Sequence, residues 1–227
     1  MKPTFDPSEA GTRTRAKVLV AAAWEPELER FRAFARESLL PFDVQVEAVG
    51  IGPVDTAAIV TRCILQHSPA LVVLLGTCGA APGSGLGIGD VIAGTTARLV
   101  DPSVVDARAA MPYAEAAIPL DTEVSSAVVA AGGKPASIAN TLGITTDDAL
   151  ASALAPLGAV EHLEAYGVAR ACQLASVRCA VVLGIANVVG ASGREQWRAN
   201  HVDASARAAQ VAWEALVRTS TTPRSPA

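Results

Sequence analysis

LVVLLGTCGA (Leu71–Ala80), then APGSGLGIGD (Ala81–Asp90) and VIAG (Val91–Gly94), is the stretch that decides the fold. Five aliphatic residues from Leu71 to Leu75 run without a polar break. A run of that length with no alternation predicts a strand covered on both faces. The strand is expected to stop at Gly76, with a glycine-rich loop from Gly76 to Gly89 and a new strand from Asp90 to Ala97. Glycines directly after a buried strand let backbone N–H groups come close to a ligand, and the hydroxyl of Thr77 adds a donor. The same glycines also suit a plain tight turn. The pattern matches neither G-x-G-x-x-G nor a P-loop, which speaks against a nicotinamide-dependent enzyme.

Working outward, short aliphatic runs alternate with amphipathic ones. Lys17–Ala23 reads as a first strand, followed by Trp24-Glu25-Pro26-Glu27 and a helix carrying Leu28, Phe31 and Phe34 at helical spacing. A second strand is predicted over Val44–Val49 and a helix from Val54 or Asp55 to His67. Residues 98–137 give weaker signals: strand and loop around Pro102–Pro119, then a helix from Asp121 to Ala131. Further on come a strand over Ile138–Ile144, a helix over Asp147–Leu157, a short strand opening at Ala159-Val160 and a helix over Leu163–Ser176. The last core strand is Cys179–Ala186 and the last helix Val202–Thr219. Strands that alternate with helices predict a single three-layer α/β/α domain over residues 17–218 with a mixed, largely parallel central sheet. Residues 1–16 and 219–227 read as a disordered leader and tail.

Composition narrows the function. The 227 residues are 51% hydrophobic and only 4% aromatic, so the core consists of small aliphatics. The formal net charge is −4 and no segment is strongly basic, which argues against a nucleic-acid or membrane-surface binder and for a small-molecule partner. Cys63, Cys78, Cys172 and Cys179 form no C-x-x-C pair and sit in apolar runs, as reduced buried thiols do. His67, His162 and His201 are too scattered for a metal site. No apolar run is long enough for a signal peptide or a membrane span, and the expected location is the cytoplasm.

Sheets of this kind gather ligand sites at the carboxyl ends of their strands, so the segments after Ala23, Leu75 and Ala186 become candidates together. Glu25 and Glu27 follow the first strand: either helix-start acids or a general base at a pocket mouth. Glu164 opens an otherwise apolar helix in VEHLEAYGVA (Val160–Ala169). It is either an ordinary helix-start acid or a carboxylate that takes two adjacent hydroxyls, as a ribose diol presents. Asn187, in GIANVVG (Gly184–Gly190), either reads the edge of a heterocycle or makes an Asx-turn.

Each signal is weak alone, but the order of the segments resembles the nucleoside phosphorylase/hydrolase superfamily over nearly all of Lys17–Leu216. AAAWEPEL is similar to the family's first strand with its trailing Glu, LLGTCGA with LGIGDVIAG to its central glycine motif, VEHLEAYGVARAC to its E-x-M-E helix and VVLGIANVVG to its base-binding strand. Within the superfamily, the pattern is most similar to the futalosine hydrolases, then to the methylthioadenosine/adenosylhomocysteine nucleosidases. The features that carry this are GAAPGSGLGIGDV, TLGITTDD, and Asn187 followed by Val-Val-Gly, Arg194 and Trp197.

The resemblance implies a nucleosidase. Glu27 would activate water, Glu164 with Leu163 would hold the ribose, Gly76, Thr77, Cys78 and Gly79 would line the sugar and nucleophile side, and Asn187 with Ala186 would meet the purine. Adenine-directed members usually carry Asp where Asn187 stands and Ser where Ala186 stands. An amide cannot protonate N7 but can donate to a carbonyl O6, which implies a 6-oxopurine nucleoside of futalosine type. Resembling phosphorylases carry an Arg two residues before the motif's glycine. Leu74 occupies that position, which implies hydrolysis by water, unless Arg98 or Arg108 supplies the charge. Leu163 stands for the usual Met, and Tyr166 is bulkier than the small residues usual there, so it would narrow the pocket. The resemblance implies no metal or organic cofactor and a homodimer or higher homo-oligomer. A purine nucleoside phosphorylase, an adenosine-type nucleosidase and a nucleoside-binding module are the competing readings.

Overall fold

The computed structural model describes residues 15–38, 41–111 and 117–221. Eight strands form one sheet: β1 (Lys17–Ala22), β2 (Asp43–Ala48), β3 (Leu71–Ala80), β4 (Val91–Leu99), β5 (Ala117–Pro119), β6 (Lys134–Asn140), β7 (Val160–His162) and β8 (Arg178–Val188). Helices α1 (Glu29–Glu37), α2 (Pro53–His67), α3 (Pro102–Val105), α4 (Thr122–Ala130), α5 (Asp148–Leu154), α6 (Ala165–Leu174) and α7 (Gly193–Thr221) connect and cover them. The three-layer α/β/α reading holds. Among the described residues no helix is long and apolar enough to cross a membrane. Of the predicted leader (1–16) and tail (219–227), residues 1–14 and 222–227 lie outside the described residues; Ala16 O accepts Asp43 N–H, and α7 carries the chain through Thr221.

Aliphatic runs without alternation become strands buried on both faces, and each face takes every second residue. Leu19, Ala21, Val72, Leu74, Val181 and Leu183 pack on one side with α2 and α6. Val18, Val20, Leu71, Val73, Ala180 and Val182 pack on the other with α1, α4 and α7. Burying each such side chain fully contributes about 1.5–3 kcal/mol. All four cysteines are free and buried.

The topology opens a gap in the sheet. β3 pairs along its whole length with β8, in parallel. On its other edge it pairs first with β1, up to Ala21 opposite Leu74, and later with β7, from Gly79 opposite Glu161. β7 is reached through β8, β4 and β6, so β3, β8, β4, β6 and β7 close into a ring. Between Leu74 and Gly79, one edge of β3 faces neither neighbour.

Pro102–Val105 is helix, not strand or loop, with the Asp101 side chain accepting Ser103 N–H, and three boundaries differ from the sequence expectation by more than two residues. Gly76–Ala80 is strand, not loop, because β8 runs on beside it to Val188, with a bulge between Cys78 and Gly79. β6 starts at Lys134 and ends at Asn140, whose amide donates to the carbonyls of Thr141 and Leu163 and accepts from Tyr166 N–H, which turns the chain out of the sheet. α7 begins at Gly193, nine residues before Val202, so Arg194 and Trp197 lie in its first turns.

Candidate active site

The Trp24–Glu27 turn delivers the first carboxylate. Pro26 suits the first position of a helical turn, and Glu27 N–H donates to Trp24 O at 3.1 Å. The two glutamates then part. Glu25 faces outward in an ion pair with Arg32. Glu27 is buried and fills the gap beside β3: its Oε1 accepts the Thr77 N–H at 3.0 Å and the Thr77 hydroxyl at 2.9 Å. A glutamate side chain therefore satisfies the strand edge that neither β1 nor β7 covers.

The direction of this network is fixed by chemistry. Trp197 Nε1–H, which can only donate, gives to Thr77 Oγ1 at 3.0 Å. The Thr77 proton therefore points to Glu27 Oε1, and Oε2 is the oxygen that Thr77 does not engage. Burial, with help from the charge of Glu164, pushes the Glu27 carboxyl up to about 7, against the opposing Thr77 hydrogen bonds. Gly76, at φ +153°, is needed here: a Cβ would lie 3.1 Å from Glu27 Oε2.

The second carboxylate comes from the start of α6. Glu164 is 4% exposed, and its Oε1 accepts the Gly52 N–H at 2.8 Å. Its Oε2 lies 3.3 Å from His162 Nδ1, but this is no ion pair. Nδ1 accepts the N–H groups of Glu164 and Ala165, each at 3.1 Å, so it holds no proton. Burial keeps the His162 ring below its ordinary range, with Glu164 opposing, and the ring is the neutral Nε2–H form.

Asn187 leaves the end of β8 with its amide donating to Val188 O at 3.0 Å. It is held between two backbones. A Cβ on Gly79 would meet Asn187 Nδ2 at 2.8 Å, and one on Gly193 would meet it at 3.1 Å. The amide reaches the site because both neighbours are glycine.

Glu27, Thr77, Cys78, Gly79, Leu163, Glu164 and Asn187 line one cavity of about 410 Å³. Gly76 stands behind Glu27, and Ala186 is fully buried with its carbonyl accepting from Asn200. Burial pushes the Cys78 thiol far up, which leaves it no thiolate character. Tyr166 packs into the core and does not line the cavity. Arg98 and Arg108 do not line it either, and Arg108 pairs with Asp106 at 3.2 Å. Among the described residues, the Arg that lines the cavity is Arg194, from the first turn of α7.

Sequence reasoning gave no role to Ile51, Ile144, Glu161 or His162, and placed Trp197 outside any helix; all five line the cavity. A signal for Trp197 exists. Trp197, His201, Ala204, Ala208 and Ala212 follow one another at intervals of three and four, a helical face that extends the buried stripe of α7 toward its start.

The family model described as the Phosphorylase superfamily matches residues 43–221. The sequence finds no significant match among curated proteins. Among solved structures, the native futalosine hydrolase of Helicobacter pylori strain 26695 superimposes with a TM-score of 0.79, at 17% identity, over 89% of this chain and 97% of that one. The 5′-methylthioadenosine/S-adenosyl homocysteine nucleosidase of Helicobacter pylori gives 0.81 at 17% identity, over 91% and 99%. The corresponding nucleosidase of Colwellia psychrerythraea 34H, in complex with adenine, gives 0.77 at 20% identity, over 89% and 95%. At these identities the likeness shows the shared fold.

Proposed function

The chain belongs to the phosphorylase superfamily, and from that premise we propose that it hydrolyses the N-ribosidic bond of a 6-oxopurine nucleoside, of the kind a futalosine hydrolase takes. One observation carries the reading: Glu27 and Glu164, both buried, share one cavity with Asn187.

Cleavage of such a bond builds positive charge on the sugar and negative charge on the departing base. Glu164 holds the ribose hydroxyls. Water sits against Glu27 Oε2, the oxygen that Thr77 leaves unoccupied. As the C1′–N bond breaks, its electron pair leaves with the base. The water oxygen bonds to C1′, and its proton goes to Glu27 and from there to solvent. The Asn187 amide donates to the carbonyl of the base as negative charge develops there, and solvent returns a proton to the freed purine. An amide does not ionise in this range, so it favours a base that presents an acceptor at that edge.

Water rather than phosphate is the nucleophile in this reading. Leu74 is fully buried, and no Arg or Lys other than Arg194 lines the cavity among the described residues. Arg194 follows Gly193, which lies against Asn187. Where a resembling phosphorylase carries an Arg before the glycine, Leu74 offers a phosphate no charge-assisted donor.

Base release in phosphate-free buffer tests this. Inosine, futalosine, adenosine and methylthioadenosine are offered, free base is read by chromatography, and Glu27→Gln is the control. Hypoxanthine is expected without phosphate, and the control should lose about 10²–10⁴-fold in rate. Adenine release would overturn the reading of Asn187. Release only with added phosphate would overturn the choice of water.

A further inference from the structure

Residues 141–147 cross from β6 to α5 as a strap between two hollows. On one side Ile144 lines the cavity of Glu27 and Glu164. On the other it walls a second cavity of about 300 Å³, together with Val100, Pro102, Leu142 and Leu150. Burial does little to hold the strap: Leu142 is 70% exposed and Ile144 55%. At its start Thr141 N–H donates to His162 O at 3.2 Å, and at its end Asp147 caps α5 by accepting Leu150 N–H at 2.8 Å. Between those points, the hydrogen bonds that tie the strap down among the described residues are made by Thr145. Its N–H donates to Glu161 Oε1 at 3.1 Å and its hydroxyl to Glu161 Oε2. Glu161 itself is fixed, because β7 pairs on both sides there, with Gly79 of β3 and Ala139 of β6.

We propose that Glu161 is a positioning residue: it pins the strap at Thr145 so that Ile144 stands as an apolar wall of the nucleoside cavity and does not fold back into the second hollow. The ligand named here rests on the nucleosidase reading; the pinning does not. Both Glu161 oxygens are engaged, so this carboxylate, although it lines the cavity, does no acid–base work. A wall that holds the planar base equally in the ground state and the transition state acts on KM and leaves kcat in place.

The test uses the full chain with Glu161→Ala, Glu161→Gln, Thr145→Val and Thr145→Ser. Amide hydrogen exchange over residues 141–147 needs no ligand and reads the strap directly. Two bonds to a carboxylate are lost in Glu161→Ala, so strap exchange should quicken by about tenfold or more, with the rest of the molecule unchanged. Glu161→Gln keeps an acceptor for one donor and turns an amide toward the other, and should fall between Glu161→Ala and wild type. Thr145→Val should follow it, and Thr145→Ser, which restores the hydroxyl, should return to wild type. Steady-state kinetics on whichever nucleoside is cleaved should show KM raised about tenfold in Glu161→Ala at nearly constant kcat. Unchanged strap exchange in Glu161→Ala overturns the proposal, as does a fall in kcat at constant KM, which would put Glu161 at the reacting atoms. If Glu161→Ala does not fold, Thr145→Val against Thr145→Ser decides by the same two readouts. If the wild type cleaves no nucleoside, the functional reading fails and hydrogen exchange still decides the pinning.

Discussion

The two halves of β3 have the same length and almost opposite duties. Leu71–Leu75 is aliphatic, flanked by β1 and β8, and packed on both faces. Gly76–Ala80 keeps β8 but loses β1, and its free edge is satisfied by the side chain of Glu27 before β7 arrives. The first half gives the sheet its stability. The second exchanges bulk for access: its glycines let Glu27 and Asn187 lie against the backbone. A strand can thus change from scaffold to site within one residue when a neighbour departs and the side chains shrink.

Substitutions two residues apart should break the halves from each other most sharply. Leu74→Ala removes a fully buried side chain and should cost about 2–5 kcal/mol of stability, read by denaturant titration, with kcat/KM of the folded fraction unchanged. Gly76→Ala pushes against Glu27 Oε2 and should lose about 10²-fold in kcat, the scale of a displacement of about 1 Å. Equal loss of activity per folded molecule in both variants would erase the distinction.

The pH profile sharpens the comparison less drastically. A base held at about 7 must ionise to act, so kcat/KM should climb with pH up to about 7 and level off above it. The sign for stability is opposite. A carboxyl raised above its ordinary value contributes stability at low pH, and that contribution is lost as pH rises through about 7. Glu27→Gln should therefore gain on wild type in unfolding free energy between pH 5 and pH 8, and a gain that shrinks over that range would contradict the burial described. The smallest effect belongs to Trp197→Phe, which keeps the ring and removes the donor to Thr77: kcat should fall by roughly threefold to tenfold, the scale of one neutral hydrogen bond.

Much of the scaffold was legible because aliphatic runs without alternation have one economical burial, between two helical layers. Glu27, Glu164 and Asn187 each stood out beside such a run, and the resemblance in segment order brought them into one set. Other features were hidden for physical reasons. Gly76–Gly79 looks like a turn because glycine carries no record of its neighbours; only the partner strand β8 makes it extended. The first turns of α7 are polar and open on Gly193, just after Gly190 and Ser192, so propensity starts the helix too late. Glu161 and Thr145 lie sixteen residues apart, and nothing in local spacing announces that they meet.

The pairing of β3 with β8 also bears on how the protein is made. Leu71 meets Arg178, and the 97 residues from Ala81 to Val177 must be synthesised between the two strands. On the ribosome, Glu27 emerges well before the strand that carries Asn187 and the helix that carries Trp197, and Glu164 only shortly before them. Until then, one whole edge of the most aliphatic strand is unpaired, and such an edge invites association with other chains. β7 can pair with β3 directly, but the ring of β3, β7, β6, β4 and β8 closes only when β8 joins β3 to β4. Assembly of the site and escape from aggregation are therefore a single late event, set by the arrival of the last strand.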